Sequence, residues 1–240
     1  MKNMHIENKR SLREINPGIL LEKVRKVSPL IHHLTNWVTI CDCAQAVKSI
    51  GASPVMAHAI EEVEEMAAIS SALVLNIGTL TNDFVEAMKK AASAANKKGI
   101  PVILDVCGAG ATSLRNKKCR ELISRVRIDI IKGNPSEIAC ISGANIRTKG
   151  VDSCDIKVDI KKLANELALA NTCVVVVTGQ EDTVTDGKKL YIVSNGDKIM
   201  SSLVGSGCMA TSIIGTFAAV EKDLAQASVS GLVCFEVAAE

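Results

Sequence analysis

Gly205-Ser206-Gly207-Cys208 stands between a strand-like stretch and a long apolar helix, and no other part of the chain packs so much chemistry into so few residues. Two glycines around a serine let the backbone turn sharply and come close to a ligand. The helix that follows, read here from Cys208 to Gly215, offers unpaired N–H groups and the positive end of its dipole to an anion. Cys208 at its start aims a thiol at whatever happens beside that anion. Phosphoryl transfer is the first reaction this pattern suggests. Gly205, Ser206 and Gly207 would supply an anion hole for charge spread over the moving group.

Further polar residues fall at the carboxyl ends of predicted strands, where open α/β sheets gather their ligands. Asn76-Ile77-Gly78, Asp105, Lys132-Gly133-Asn134 and Thr178-Gly179 would share one rim. A carboxylate, a cation, amide-bearing turns and a hydroxyl brought together suit a polyphosphate with magnesium. Asn134-x-x-Glu137 also reads as a helix start capped by Asn134 or Ser136, with Glu137 merely complementing the dipole. Asp105 has a structural alternative too, capping the glycine loop behind it. His32, His33 and His58 have no ligand spacing and receive neither a metal nor an acid–base role. Cys41-x-Cys43 lacks a second cysteine pair or histidine partners, so it reads as small packing thiols.

These groups need a frame, and the pattern between them supplies one. Nearly continuous apolar runs at Ala72–Ile77, Pro101–Asp105, Ile128–Lys132 and Cys173–Thr178 predict buried strands. Helices are predicted between them at Asn82–Lys98, Asn116–Arg125, Ser136–Ile141 and Ile156–Asn171. The alternation argues for right-handed βαβ crossovers and an α/β fold with a mostly parallel central sheet. After Thr178 the pattern shortens to Thr183–Asp186, Lys189–Ser194 and Lys198–Leu203, separated by the turn signals Asp186-Gly187 and Asn195-Gly196. An antiparallel extension near residues 183–203 is expected there, its last strand delivering the chain into the glycine turn. Asn145–Asp155 reads as the longest surface loop.

Composition narrows the partners. Apolar residues make up 48% but aromatics only 2%, so the interior must be built from Ala, Val, Ile and Leu. The chain is read as one domain over residues 1–240. A net charge of +2 gives no electrostatic reason to expect nucleic acid, and no apolar run reaches a membrane span. Nine scattered cysteines and no apolar leader point to reduced thiols in the cytoplasm. No GxGxxG follows the first strand, which disfavours a nicotinamide oxidoreductase.

The sequence resembles hydroxyethylthiazole kinase, a family of the ribokinase-like superfamily. Seven stretches carry the resemblance in order. They are Pro29–Asn36, Gly51–Met56, Leu73–Thr79, Val102–Asp105 with Gly108–Thr112, Gly133–Glu137, Thr178-Gly179 and Gly205–Cys208. The resemblance implies a three-layer sandwich and ATP-dependent phosphorylation of the hydroxyl of 4-methyl-5-(2-hydroxyethyl)thiazole, in thiamine biosynthesis or salvage. It also implies a cytoplasmic homotrimer with active sites between subunits. Carried over residue by residue, Cys208 lies beside the acceptor hydroxyl, where most ribokinase-like kinases place aspartate. Gly205 joins both anion hole and substrate site. Lys132, Thr178 and Asn134 fall to ATP. Glu137, through water, and Asp105 fall to Mg2+. Asn36, Val38, Met56 and Gly78 fall to the thiazole.

The chain departs from that family at several points. Cys41 and Gln45 stand where asparagine is frequent, Val106-Cys107 where Pro-Val is common, and Lys132 where arginine often precedes Gly-Asn. Glu240 ends the sequence roughly two helices before the family's usual length. Alternatives of the same fold are another vitamin-precursor kinase and a nucleotide-dependent hydrate dehydratase. A non-catalytic binding protein is a further alternative.

Overall fold

The computed structural model describes residues 15–143 and 159–240. The predicted loop Asn145–Asp155 and the first residues of the predicted helix Ile156–Asn171 lie outside them. Helix α1 (Pro17–Val27) leads into β1 (Leu30–Leu34), α2 (Ile40–Ser49), β2 (Ser53–Val55), α3 (Val63–Ile69) and β3 (Ala72–Asn76). Next come α4 (Asn82–Lys98), β4 (Val102–Asp105), α5 (Ser113–Arg125), β5 (Ile130–Gly133) and α6 (Pro135–Ile141). Then follow α7 (Ile160–Asn171), β6 (Val174–Val177), β7 (Asp182–Thr185), β8 (Leu190–Val193), α8 (Ser206–Ala218) and α9 (Leu224–Val237).

One eight-stranded sheet runs β2-β1-β3-β4-β5-β6-β7-β8. Pairing is parallel from β2 to β6 and antiparallel for β6–β7 and β7–β8. The strand sequences explain the layering. Leu73, Leu75, Leu104 and Ile131 pack on one face against α3 to α7, while Ala72, Val74, Ile103 and Ile130 pack on the other against α1, α2, α8 and α9. A strand buried on both faces must be apolar throughout, hence the unbroken runs. Few aromatics suffice because small side chains let the layers approach. At Gly215 of α8 an added Cβ would lie 2.5 Å from Val74 Cγ2, so the helix sits directly on β3. That seating fixes where the start of α8 projects over the sheet.

The elements predicted from Ala72 onward recur with shifts of a few residues at their ends. One reading is corrected. Lys198–Leu203 is not a strand; Lys198–Ser202 forms a 3-10 helix. The Asp197 side chain accepts a bond from Ile199 N at 2.9 Å, a helix cap that outcompetes pairing to the edge of β8. Asn195-Gly196 turns with Gly196 at φ +92°, but no return strand follows it, and the antiparallel extension has two strands instead of three. Helix α5 starts before the predicted Asn116 because Thr112 caps it, accepting from Arg115 N at 3.3 Å. Helix α8 likewise starts at Ser206, two residues before Cys208.

Candidate active site

Three strand ends lie side by side. The sheet register pairs Asn76 with Asp105 and Asp105 with Lys132, so an amide, a carboxylate and an ammonium form a row at the carboxyl rim. All three are buried. Asp105 Oδ2 accepts from Thr211 Oγ1 at 2.7 Å and lies 3.6 Å from Lys132 Nζ. It does not cap the glycine loop, which was its structural alternative. Burial opposes the charge on Lys132, but the carboxylates of Asp105 and Glu137 outweigh it and hold its pKa above the ordinary range. This is an interior ion pair, not a surface one.

The start of α8 covers that row. Gly205 takes φ +85° as the helix N-cap, and a Cβ there would lie 2.2 Å from Thr39 Cγ2. Any other residue would both strain the backbone and collide with the start of α2. The first intrahelical bond runs from Met209 N to Gly205 O at 2.9 Å, leaving the amides of Gly207 and Cys208 ahead of it without a carbonyl partner. A Cβ at Gly207 would meet Lys132 Nζ at 2.8 Å, so the buried ammonium stands directly under this turn. Free amides above and a cation below have the chemistry to receive an anion.

The sulfur of Cys208, third residue of α8, accepts from two amides. Asn36 Nδ2 donates to its sulfur at 3.2 Å and Asn76 Nδ2 at 3.3 Å. The neighbouring Cys107 thiol is the largest influence in lowering the Cys208 pKa from 9.0 to about 7. Burial and Asp105 oppose that shift; Lys132 and Thr39 assist it. Cys107 itself is held strongly protonated, as a donor must be.

Asn36 and Gly78 belong to the same knot. Asn36 Oδ1 accepts from Val38 N, Thr39 N and Thr39 Oγ1, each at 3.1 Å, and so starts α2. Its amide also donates to Asn76 Oδ1 at 3.2 Å, which accepts from Gly78 N at 2.8 Å. Val38 is exposed on the rim, Met56 follows the carboxyl end of β2, and Gly78 is half-buried. The structure thus joins Asn36 and Gly78 to Cys208 and leaves Val38 on the open side.

The other flank is built on Glu137. Its carboxylate accepts from Gly108 N at 2.6 Å and from Asn134 N at 2.7 Å, while Asn134 Oδ1 accepts from Glu137 N at 2.9 Å and Ser136 Oγ at 2.7 Å. This is a capping box closed onto the glycine loop. Burial, then Asp105, pushes the Glu137 pKa up to about 7 against the pull of Lys132 and the two amides. Thr178 N bonds Gly133 O at 3.0 Å, which seats Thr178-Gly179 beside this flank.

As for a metal, no group of three His, Cys, Asp or Glu side chains among the described residues forms a cage. Two carboxylates whose oxygens already accept protein donors fit an ion that keeps most of its water, as Mg2+ does. Sequence reasoning passed over several residues of the site. Thr211 lies four residues after Gly207 on the same helix face, a spacing that could have found it. Arg115 gave no such signal. Its guanidinium donates to Ile77 O at 2.8 Å, Cys107 O at 3.0 Å and Gly78 O at 2.6 Å, tying two rim turns together. The histidines have structural settings: His32 Nε2 meets Ala57 O at 2.7 Å, buried His33 has its pKa lowered to about 4, and His58 packs edge-on to Trp37. A cavity of about 330 Å3 lies elsewhere, lined by Ser206, Met209 and Ile213 of α8 rather than by Cys208 and Thr211.

The family model described as the hydroxyethylthiazole kinase family matches residues 21–240. The hydroxyethylthiazole kinase of Methanosarcina mazei is 52% identical over 220 residues, covering 92% of this chain and 84% of that protein. That of Thermoanaerobacter pseudethanolicus is 48% identical over 221 residues, with the same coverage of each. Among solved structures, hydroxyethylthiazole kinase from Pyrococcus horikoshii superimposes with a TM-score of 0.81 at 39% identity, over 90% of this chain and 81% of the other. Bacillus subtilis pyridoxal kinase in its ADP complex shares the fold at a TM-score of 0.63 and 13% identity, over 85% of this chain and 88% of the other.

Proposed function

The chain belongs to the hydroxyethylthiazole kinase family, and from that premise we propose that it transfers the γ-phosphate of ATP to the hydroxyl of 4-methyl-5-(2-hydroxyethyl)thiazole. The product feeds thiamine synthesis or salvage. The observation that carries this reading is the meeting of Cys208 with the free amides of α8 above the Lys132 ammonium.

The thiazole hydroxyl lies against the Cys208 sulfur. Phosphoryl transfer has a loose transition state in which the attacking alcohol keeps its proton until late, so placing it matters more than base strength. Asn36 and Asn76 fix the sulfur, and the sulfur fixes the hydroxyl. A Cys208 poised near neutrality then takes the proton as the new ester bond completes. The Gly207 and Cys208 amides and the Lys132 ammonium hold the oxygens of the migrating group, where fixed donors need no reorganisation. Thr178 and Asn134 bind the nucleotide further along the rim. Asp105 and Glu137 would hold Mg2+, which when bound would supply positive charge to the phosphate oxygens. Gly78 admits the flat ring, and Met56 and Val38 give it apolar contact.

Val38 and Val204 are exposed on either side of the Thr39–Gly205 contact. Apolar side chains flanking an open site suit cover by a second subunit, in keeping with a homotrimer that has sites between subunits. No helix among the described residues is long and apolar enough to cross a membrane. The enzyme is assigned to the cytoplasm, and its partners are small molecules, not nucleic acid. ADP release should be followed with the thiazole alcohol, a hydroxymethylpyrimidine and pyridoxal in parallel. Turnover with the thiazole alone is expected. Preference for either other alcohol, or tight binding without turnover, would overturn the assignment.

A further inference from the structure

Thr211 does something that its place in a helix does not ask of it. A buried helical hydroxyl commonly bonds the carbonyl four residues back. Ser212 and Thr216 of α8 do so, reaching Cys208 O at 3.2 Å and Ser212 O at 2.9 Å. Thr211 Oγ1 has Gly207 O at 3.0 Å, but Asp105 Oδ2, at the end of β4, is nearer at 2.7 Å. The hydroxyl has one proton to give. A carboxylate draws it more strongly than a carbonyl that helical pairing already supplies with an N–H. We infer that Thr211 is a positioning residue for the phosphoryl transfer: its hydroxyl fixes Asp105 by Oδ2 and leaves Oδ1 for the Mg2+ that accompanies ATP. This deepens the proposed function and rests on its assignment of Asp105 to the metal.

The two oxygens of Asp105 are treated unequally. Oδ2 takes the Thr211 hydroxyl and also faces Lys132 Nζ at 3.6 Å. Oδ1 takes no hydrogen bond among the described residues, and it is not sealed from solvent. Lys132 attracts the carboxylate, but beyond hydrogen-bond distance a charge does not set its direction. The hydroxyl at 2.7 Å does. Thr211 is also well placed to hold that direction. It lies one turn after Gly207, where α8 begins over the rim, and one turn before Gly215, where α8 is seated on β3. The side chain is 1% exposed. One hydroxyl thus ties the carboxylate to the helix whose first amides face the anion.

Removing the hydroxyl has a definite consequence. Valine has nearly the shape of threonine and donates nothing, so Asp105 loses the one hydrogen bond its side chain makes among the described residues. The carboxylate is then free to turn onto the Lys132 ammonium and close the 3.6 Å gap, which withdraws it from a metal. Serine keeps the donor and loses a methyl group. Carboxylates that ligate metals depend in this way on their own hydrogen-bond partners. Thr211 acts through Asp105 and takes no part in the proton or phosphoryl movements themselves.

The test measures binding of Mn2+, which takes the same oxygen ligands as Mg2+, to the full chain holding ADP. Loss of the free-ion electron paramagnetic resonance signal reads the bound metal. Thr211→Val should weaken Mn2+ binding about tenfold or more and raise the Mg2+ needed for half-maximal turnover by a like factor. The KM for the alcohol should stay unchanged. Thr211→Ser should remain within about twofold of the wild-type chain in both metal readouts. A hydroxyl that served only helix packing would alter thermal unfolding and move neither. Mn2+ bound by a folded Thr211→Val chain as tightly as by the wild type would overturn the proposal. So would weakened Mn2+ binding in Thr211→Ser, which decides the matter even if the valine variant does not fold. Asp105→Asn separates the two failures. Mn2+ binding that it leaves unmoved overturns the assignment of Asp105 to the metal, and the proposal with it. Binding that it weakens while Thr211→Val does not overturns the positioning role alone.

Discussion

Cys208 and Glu137 stand on opposite flanks of the same rim and reach the same acidity by contrary routes. The Cys208 thiol is drawn down from 9.0 to about 7, chiefly by a donor, Cys107. The Glu137 carboxyl is driven up from 4.5 to about 7, chiefly by burial, although two backbone amides bond it. One flank is tuned by what it touches and the other by the water it has lost. Donors aimed at a sulfur can therefore outweigh its desolvation, whereas two amides do not repay a carboxylate that also faces Asp105. Lys132 is common to both, since its charge favours the ionised form of each.

The strongest way to break the comparison is to remove what the flanks share. Lys132→Met should lower kcat/KM about 1,000-fold, because the migrating group loses its buried cation. The same change should destabilise the fold by about 3 kcal/mol or more, since Asp105 and Glu137 keep their burial without a counter-charge. Steady-state kinetics and urea unfolding read the two effects separately.

Unfolding across pH sharpens the contrast. The raised Glu137 pKa adds stability that is complete below pH 4.5 and is lost as pH rises through about 7. The lowered Cys208 pKa adds stability that is complete above pH 9.0 and is lost as pH falls through about 7. Each limb is on the order of 3 kcal/mol. Glu137→Gln should flatten the acid limb alone, and Cys208→Ser the alkaline limb alone.

Within the cysteine flank, Cys208→Ala should slow turnover about ten- to a hundredfold without abolishing it, while Cys208→Asp stays active. An alanine variant that folds yet is dead would contradict the reading that placing the hydroxyl matters more than taking its proton. The smallest effect is expected from Arg115→Ala, which releases the carbonyls of Ile77, Gly78 and Cys107. The KM for the alcohol should rise about tenfold with little change in the KM for ATP, because the freed turns line the acceptor side.

How legible each flank was follows from chain distance. Asn134-x-x-Glu137 could be read as a cap because both partners lie within one helical turn. The rim itself was readable because strand ends collect ligands. The bonds that set Cys208 were not, since Asn36 and Asn76 lie 172 and 132 residues away and nothing local announces them. Arg115 sits in a polar helix where an arginine reads as a solvated face. Strand β1, Leu30–Leu34, went unassigned because His32 and His33 interrupt its apolar run, yet both are buried there. The 3-10 segment at Lys198–Ser202 was mistaken for a strand because its composition suits either, and only the Asp197 cap decides it.

The most direct test is a crystal structure of the chain with the thiazole alcohol and a non-transferable ATP analogue. The hydroxyl oxygen is expected within hydrogen-bond distance of Cys208 Sγ, with the terminal phosphate on the Gly207 and Cys208 amides. A hydroxyl bound away from that sulfur, or a phosphate seated elsewhere on the rim, would contradict the assigned roles.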